Sequence, residues 1–525
     1  MGREGFECQY YSKQLLNEAL FFRPTLTIPT SLVRRIVKTL GDRTRWPSRL
    51  RSPHSSPIGF SDDLIPRPVS ALLSQLDMDG FTLLPRSTQQ PSWSPFSWRP
   101  TSIEKAVESE HRLLSQFLNI RFTGSQQPKA PEPLHPPPSS TSSCTARTTA
   151  AQSAANLVPT PLNPLLTGAE LGQVQVGPNH FINTLVLEQT WQREQSSQTQ
   201  PHSIPGSFTS FLLRTFHSLA STTSQKPIRN LVMTHGYGAG LGFFYRNYPT
   251  LAQVPGYRVF AIDWLGMANS SRPNFPSFAK YMTEEEKVEA TESFFVDSLE
   301  TWRAKMGLEK IVLMGHSMGG YLSAAYALKH PDRVEKLLLV SPVGVPTLPP
   351  KEDQRPWKGI LPTIARNMWQ MNITPMSVIR TLGPLGPSLV KTYTSRRFDK
   401  MDPAEVSSID AYIYHISAQT GSGEFALAHL LAPGAWAYSP LHNRLSALKM
   451  PVSFIYGTDD WMNFRFAMLT APTISTDSRV SLIKDAGHHM YFDNPSGFDN
   501  SIIAEMSDLP IGPYSVPEVE YVYMK

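Results

Sequence analysis

The stretch VLMGHSMGGY, residues 312–321, sets a serine between glycines inside an otherwise apolar run. KIVLMG (310–315) has the composition of a buried strand, and the residues from Gly320 to Lys329 read as a helix. Gly315-His316-Ser317-Met318-Gly319 is therefore a G-x-S-x-G sequence with a strand before it and a helix behind it. In that setting the turn is so tight that a Cβ at either flanking glycine would clash, and the serine is pushed out above the sheet edge. The Met318 N–H then points at the place where an oxyanion would form, and the helix N-terminus adds favourable partial charge. Ser317 is the candidate nucleophile.

A serine hydroxyl needs a base, and the base needs an orienting acid. With a nucleophile in this setting the chain order is serine, acid, histidine. Thr458-Asp459-Asp460-Trp461 follows the strand-like PVSFIYG (451–457), which favours Asp460 as the acid with Asp459 in reserve. His488 follows Gly487 in AGHHMYFDNP, ahead of a helix opened by Pro495 and capped by Asn494, and is the expected base. His489 is the alternative. The second oxyanion donor is expected from His235-Gly236-Tyr237-Gly238, where the backbone N–H of Tyr237 or Gly238 would face the pocket. The turn from Asp263 to Pro273 reads as structural.

Outward from the serine, short apolar runs alternate with helical segments: NLVMTH (230–235), RVFAID (258–263), KLLLVS (336–341), PVSFIYG and RVSLIKD (479–485). Strands separated by helices make βαβ units, so the fold class is α/β, a mostly parallel sheet flanked by helices. GPNHFINTLVLEQ suggests an early antiparallel hairpin. Thr283 and Glu286 form a capping box for a helix carrying Val288, Phe295, Leu299, Trp302 and Met306 on one side. Residues 346–445 break the alternation with Pro, Met and Trp and read as a lid between two parts of the core, 166–345 and 446–510. Residues 511–525 read as a C-terminal tail.

The remainder of the 525 residues is of another character. There are 47 prolines, near ~9% against an average of about 5%. Residues 123–165 hold clustered Pro, Ser, Thr and Ala and read as a linker without a core. Before them SIEKAVESEHRLLSQFL (102–118) has helical spacing, which makes 97–122 a helix joining the catalytic part. Residues 1–96 form a basic N-terminal region. Within it 23–51 carry eight Arg or Lys against Asp42 alone, and SLVRRIVKTL (31–40) can form a short amphipathic helix. That pattern suits either a mitochondrial presequence or a basic tail.

Cys8 and Cys144 are the only cysteines, which excludes a disulfide-stapled mini-domain. A net charge of +5 suits an anionic membrane surface and is too diffuse to indicate nucleic acid. No apolar run reaches 18 residues, so no transmembrane helix is expected, and Phe6 breaks the myristoylation pattern.

MTHGYGAGLGFFYRN, DWLGMANSSRP, GHSMGGYLSAAYALKHP, LVSPVGVP and GHHMYFDNP together give a family resemblance over about 97–505. The chain resembles the α/β-hydrolases of the abhydrolase-domain four/five subfamily, lipid-metabolising enzymes and cofactors that include fungal mitochondrial cardiolipin deacylases. The resemblance implies lipid acyl esters as substrates, with Ser317, Asp460 and His488 in the matching triad positions. His488 to Asp493 also matches an H-x4-D pattern linked in that family to acyl transfer onto lysophosphatidic acid. Asp493 has a structural reading too, as a bond to the first turn of the helix that follows.

The expectations are then a serine-dependent lipid acyl-ester hydrolase, a phospholipase A-type deacylase with cardiolipin as the leading substrate, peripheral to a mitochondrial membrane and without a cofactor. The alternatives are an acyltransferase using acyl-CoA as co-substrate, a catalytically silent lipase regulator, and a cytoplasmic or lipid-droplet location. Trp357, Met368, Trp369, Met371, Met376 and LAHLLAPGAWAY (427–438) are either lid core or lipid groove. Arg396, Arg397 and Arg444 are either phosphate contacts or solvated surface.

Overall fold

The computed structural model describes residues 101–122, 167–189, 228–347, 360–507 and 516–525. The basic segment at 23–51, the low-complexity stretch at 123–165 and Trp357 lie outside the described residues. The core is a ten-stranded sheet. Its strands are β1 (Asn119–Phe122), β2 (Thr167–Gly177), β3 (His180–Gln189), β4 (Arg229–Thr234), β5 (Tyr257–Ile262), β6 (Ile311–His316) and β7 (Val334–Val340), then β10 (Val452–Gly457), β11 (Ser478–Ile483) and β12 (Val519–Met524). The spatial order is β1-β2-β3-β5-β4-β6-β7-β10-β11-β12. The centre from β5 to β11 is wholly parallel, and the antiparallel pairs β2–β3, β3–β5 and β11–β12 lie toward the edges.

Period-two alternation divides the apolar residues between two layers. Met233, Val312, Met314, Leu338 and Ile455 face one layer, where they meet Phe244, Tyr248 and Ile502. Val232, Leu313, Leu337, Leu339 and Phe454 face the other, under Phe295, Leu299, Trp302 and Leu322. Every residue of β6 and β10 is buried, which is why these runs are continuously apolar.

The main helices are α1 (Ile103–Leu114), α2 (Glu284–Lys305), α3 (Met318–Lys329), α4 (Ile360–Gln370), α5 (Pro375–Thr381), α6 (Gly386–Arg397), α7 (Pro403–Ser417) and α8 (Pro495–Met506). Thr283 and Glu286 close the expected capping box on α2. Asn494 caps α8 by accepting from the Gly497 N–H at 2.9 Å. α1 docks through Ala106, Leu113 and Leu114. Its buried Glu110 accepts from Asn183 Nδ2 at 3.0 Å, which ties the helix to β3. The lid is α4 to α7 followed by a small hairpin, β8 (Leu431–Ala432) with β9 (Trp436–Ala437). No helix among the described residues is long and apolar enough to cross a membrane.

Two expectations change. The tail at 511–525 ends in a strand: β12 pairs antiparallel with β11, with Val519 and Tyr521 turned into the core. The region joining α1 to the linker holds β1, which pairs in parallel with β2.

Candidate active site

Ser317 sits between β6 and α3 with φ 54° and ψ −119°, a conformation that L residues rarely adopt. The flanking glycines make it possible. A Cβ on Gly315 would run into the Gly319 carbonyl and Ser323 Oγ, and one on Gly319 would run into the His235 carbonyl. The Ser317 N–H donates to Val340 O at 2.9 Å, which anchors the strained turn to β7. α3 starts at Met318, two residues earlier than its composition suggests, so the Met318 N–H heads the helix and has no intrahelical acceptor.

His488 Nε2 lies 3.1 Å from Ser317 Oγ. On the other side of the ring, Nδ1 lies 3.2 Å from Asp460 Oδ1. A carboxylate only accepts, so the proton sits on Nδ1 and Nε2 is left with a lone pair facing the serine. The Asp460 carboxylate is fully buried and Oδ1 also accepts from the Met462 N–H at 2.9 Å, whereas Asp459 is exposed. Ser317 and His488 are each only 8% exposed.

Three further residues hold this arrangement, and the sequence reading assigned a role to none of them. Ser341, directly after β7, has φ 46°, is fully buried, donates its hydroxyl to Asp460 Oδ2 and lies 2.8 Å from His488 Nδ1. His316, beside the nucleophile, donates from Nε2 to the His488 carbonyl at 2.9 Å and so pins the base loop to the elbow. His235 accepts the Trp264 N–H on Nε2 at 3.1 Å and donates from Nδ1 to Gly236 O at 2.8 Å, bracing the loop over the serine. Burial lowers the pKa of both His235 and His316, so each is neutral at pH 7. His489 is not the base. It is half-buried, its ring packed beside Phe243 and Phe492, and desolvation depresses its pKa well below the ordinary value.

Gly236 crosses the elbow so closely that a Cβ there would lie 3.0 Å from Ser317 Cβ. Tyr237 and Gly238 follow on that loop, Gly238 with φ 71° and its Cα beside lid residue Met376. Asp263 fixes the loop from below by accepting the Leu241 N–H at 2.6 Å and the Asn269 N–H at 3.0 Å. The structural reading of the 263–273 turn fits these bonds.

Asp493 does something other than cap α8. It accepts the Gly487 N–H at 3.0 Å and pairs with Arg397 of α6 at 2.9 Å, so it steadies the residue before His488 and links it to the lid. That pairing takes Arg397 out of the set of candidate phosphate contacts. Arg444 is engaged as well, with Glu292 at 2.6 Å, and Arg396 is exposed. The lid methionines do not form one groove: Met376 is buried over Gly238 while Met371 is 61% exposed. Trp369 instead donates to Leu431 O at 3.1 Å.

The sequence profile of the alpha/beta hydrolase fold matches residues 229–375. An Arabidopsis thaliana protein named 1-acylglycerol-3-phosphate O-acyltransferase is 38% identical over 285 residues, 52% of this chain and 65% of its own length. A human (Lyso)-N-acylphosphatidylethanolamine lipase is 36% identical over 299 residues, 53% of this chain and 79% of its own. Human 1-acylglycerol-3-phosphate O-acyltransferase ABHD5 is 36% identical over 280 residues, 52% and 76% of the two chains. With the elbow, the sheet order and these relatives in agreement, the chain belongs to the α/β-hydrolases, in the abhydrolase-domain four/five subfamily.

Proposed function

We propose that this protein is a serine-dependent lipid acyl-ester hydrolase, a phospholipase A-type deacylase working through an acyl-serine intermediate. The observation that carries the reading is the contact of His488 Nε2 with Ser317 Oγ, with Asp460 holding the opposite nitrogen. Relatives named as lipase and as acyltransferase support an enzyme of lipid ester metabolism. Ser317 Oγ attacks the ester carbonyl as its proton passes to His488 Nε2. Asp460 stabilises the imidazolium without taking the proton. The Met318 N–H, with that of Tyr237 or Gly238, receives the oxyanion, each such donor supplying ~2.7–4 kcal/mol. His488 then protonates the departing alcohol. Water, activated by the same ring, releases the fatty acid and restores the serine. No cofactor enters this scheme.

Among substrates we place a membrane glycerophospholipid first, cardiolipin in particular, on a mitochondrial membrane surface. The basic stretch at 23–51 and the resemblance to fungal cardiolipin deacylases support it. Acyl transfer is the second reading, favoured by the name of the Arabidopsis relative. A lysolipid hydroxyl would then replace water at the acyl-serine, with acyl-CoA as donor. Asp493 lends this no separate support, because Arg397 and the Gly487 N–H occupy it.

Purified protein incubated with radiolabelled cardiolipin, and separately with lysophosphatidic acid plus acyl-CoA, tests both readings. Free fatty acid is expected from the first mixture, and Ser317→Ala should lower its release by at least about 10³-fold. Acyl incorporation without release would replace hydrolysis by transfer. Inertness in both mixtures would leave a lipase regulator.

A further inference from the structure

α1 carries a charge where docking alone calls for none. Glu110 is buried on the same side of the helix as Ala106, Leu113 and Leu114. A buried carboxylate is destabilising unless donors meet it, and an apolar side chain would anchor the helix better. What meets it is Asn183 of β3, itself only 3% exposed.

Asn183 Nδ2 donates to the two Glu110 oxygens at 3.0 and 3.2 Å and to Asp263 Oδ2 at 2.8 Å. One amide hydrogen serves each acid. A flipped amide would set oxygen against oxygen, so the two carboxylates together fix its orientation. Asp263 in turn grips both ends of the loop that carries Tyr237 and Gly238. Its Oδ1 accepts the Leu241 N–H at 2.6 Å and lies 3.7 Å from His235 Nε2. Its Oδ2 also accepts the Asn269 N–H at 3.0 Å, and Asn269 Nδ2 reaches back to Ala106 O in α1 at 3.4 Å. α1 packs on the Leu241–Phe244 turn as well, and on α7 of the lid, where Thr101 Oγ1 lies 2.8 Å from His415 Nδ1.

Resting on the hydrolase reading, we propose that Glu110 is a positioning residue for the oxyanion hole. Acting through Asn183 and Asp263, it holds the 235–241 loop where the second backbone N–H can meet the oxyanion. Without Glu110, one Asn183 N–H is left unmet and the amide is free to turn away from Asp263. The loop then loses its support from below while the triad stays in place.

The test uses the full-length protein with a p-nitrophenyl ester and its thionoester, in which sulfur replaces the carbonyl oxygen. Sulfur is a weak acceptor, so the ester-to-thionoester ratio of kcat/KM reads the oxyanion donors and cancels any general loss of active protein. Wild type should favour the ester at least about tenfold. Glu110→Ala should shrink that preference at least about fivefold, through kcat, with KM for the ester within about twofold. Glu110→Gln still presents an acceptor oxygen to Asn183 and should hold the ratio within about twofold of wild type. No ester preference in wild type, an unchanged ratio in Glu110→Ala, or an equal loss in Glu110→Gln overturns the proposal.

Glu110→Asp keeps the charge and draws the oxygens back by one methylene, which gives a second reading should Glu110→Ala not fold. It should cut the ratio at least about threefold, and an unmoved ratio overturns the relay. Wild type inert toward the ester, with Ser317 unlabelled by a fluorophosphonate, would instead defeat the hydrolase reading and the positioning role with it.

Discussion

Ser317 and Asp460 stand at the ends of β6 and β10, strands buried along their whole length, while the lid above them is tied down by charged side chains. Along the lid's seam with the core, Glu424 accepts from Arg380 of α5 at 2.6 Å and from Thr374 at 2.7 Å, and Arg272 of the core lies 3.9 Å away. Arg272 donates to Ile416 O and Thr420 O in the lid and to Ala268 O in the core, each at 2.9 Å. Burial pulls its guanidinium down to about 10, so it stays charged at neutral pH. Apolar burial is non-directional and spreads its contribution over many residues. A buried ionic seam fixes one geometry and fails when one partner is removed. The rim should therefore tolerate loss of its reactive groups without unfolding, and the seam should not.

Glu424→Ala is the largest break expected. Glu424 is 3% exposed, and its loss leaves Arg272 and Arg380 facing each other, a change worth roughly 3–5 kcal/mol of stability. Urea unfolding measured beside Ser317→Ala makes the comparison direct. Ser317→Ala should stay within about 0.5 kcal/mol of wild type, as for a substitution that removes no packing. A loss under 1 kcal/mol in Glu424→Ala would show that the seam is not what holds the lid.

Ser341→Ala gives a smaller effect of the opposite kind, on rate and not on folding. A hydrogen bond to a charged group is worth roughly 1.5–3 kcal/mol, or about 10- to 100-fold in rate. Because the Ser341 hydroxyl bonds Asp460 and lies against the far nitrogen of His488, kcat should fall while KM holds. Steady-state kinetics on a phospholipid ester would show it. Equal rises in KM, or no change in kcat, would reduce Ser341 to packing.

The same division explains what could be read beforehand. Gly315, Ser317 and Gly319 were legible because the elbow is a local steric problem, solved within five consecutive residues. Asp460 and His488 were legible because each follows the C-terminal end of a strand. Ser341 was not, since its neighbours look like any strand end and its role arises only when β7 and β10 lie side by side. A signal existed: a polar residue directly after KLLLV, at the same edge as the nucleophile, is placed to face the rim. Asp493 misled because its near-sequence partner, the helix start, was visible while Arg397 lies 96 residues away. The tail misled for a different reason. VEYVYM alternates only over Val519, Glu520 and Tyr521, and six residues without a βαβ context carry little weight alone.

The rim has a weakness of its own, which the lid seam does not share. His235 and His316 are buried at the elbow and His489 is half-buried beside them, and desolvation is the first cause lowering each below the ordinary value of 6.5. As pH falls through 6.5 the unfolded chain binds protons that the folded one refuses. The unfolded state is then favoured by up to about 1.4 kcal/mol per pH unit for each group. Stability is thus fully present above 6.5 and drains away as the medium is acidified. His489 is the group to remove, because its Nδ1 has no acceptor and its ring sits 6.2 Å from Phe243 and 6.4 Å from Phe492. His489→Phe should keep the fold and flatten the decline in unfolding free energy between pH 6.5 and 5.0 by about one group's share. Chemical denaturation at four or five pH values measures that slope. Identical slopes in the two proteins would mean that His489 takes up its proton in the folded state, and that the apolar wall beside the base is wetter than its packing implies.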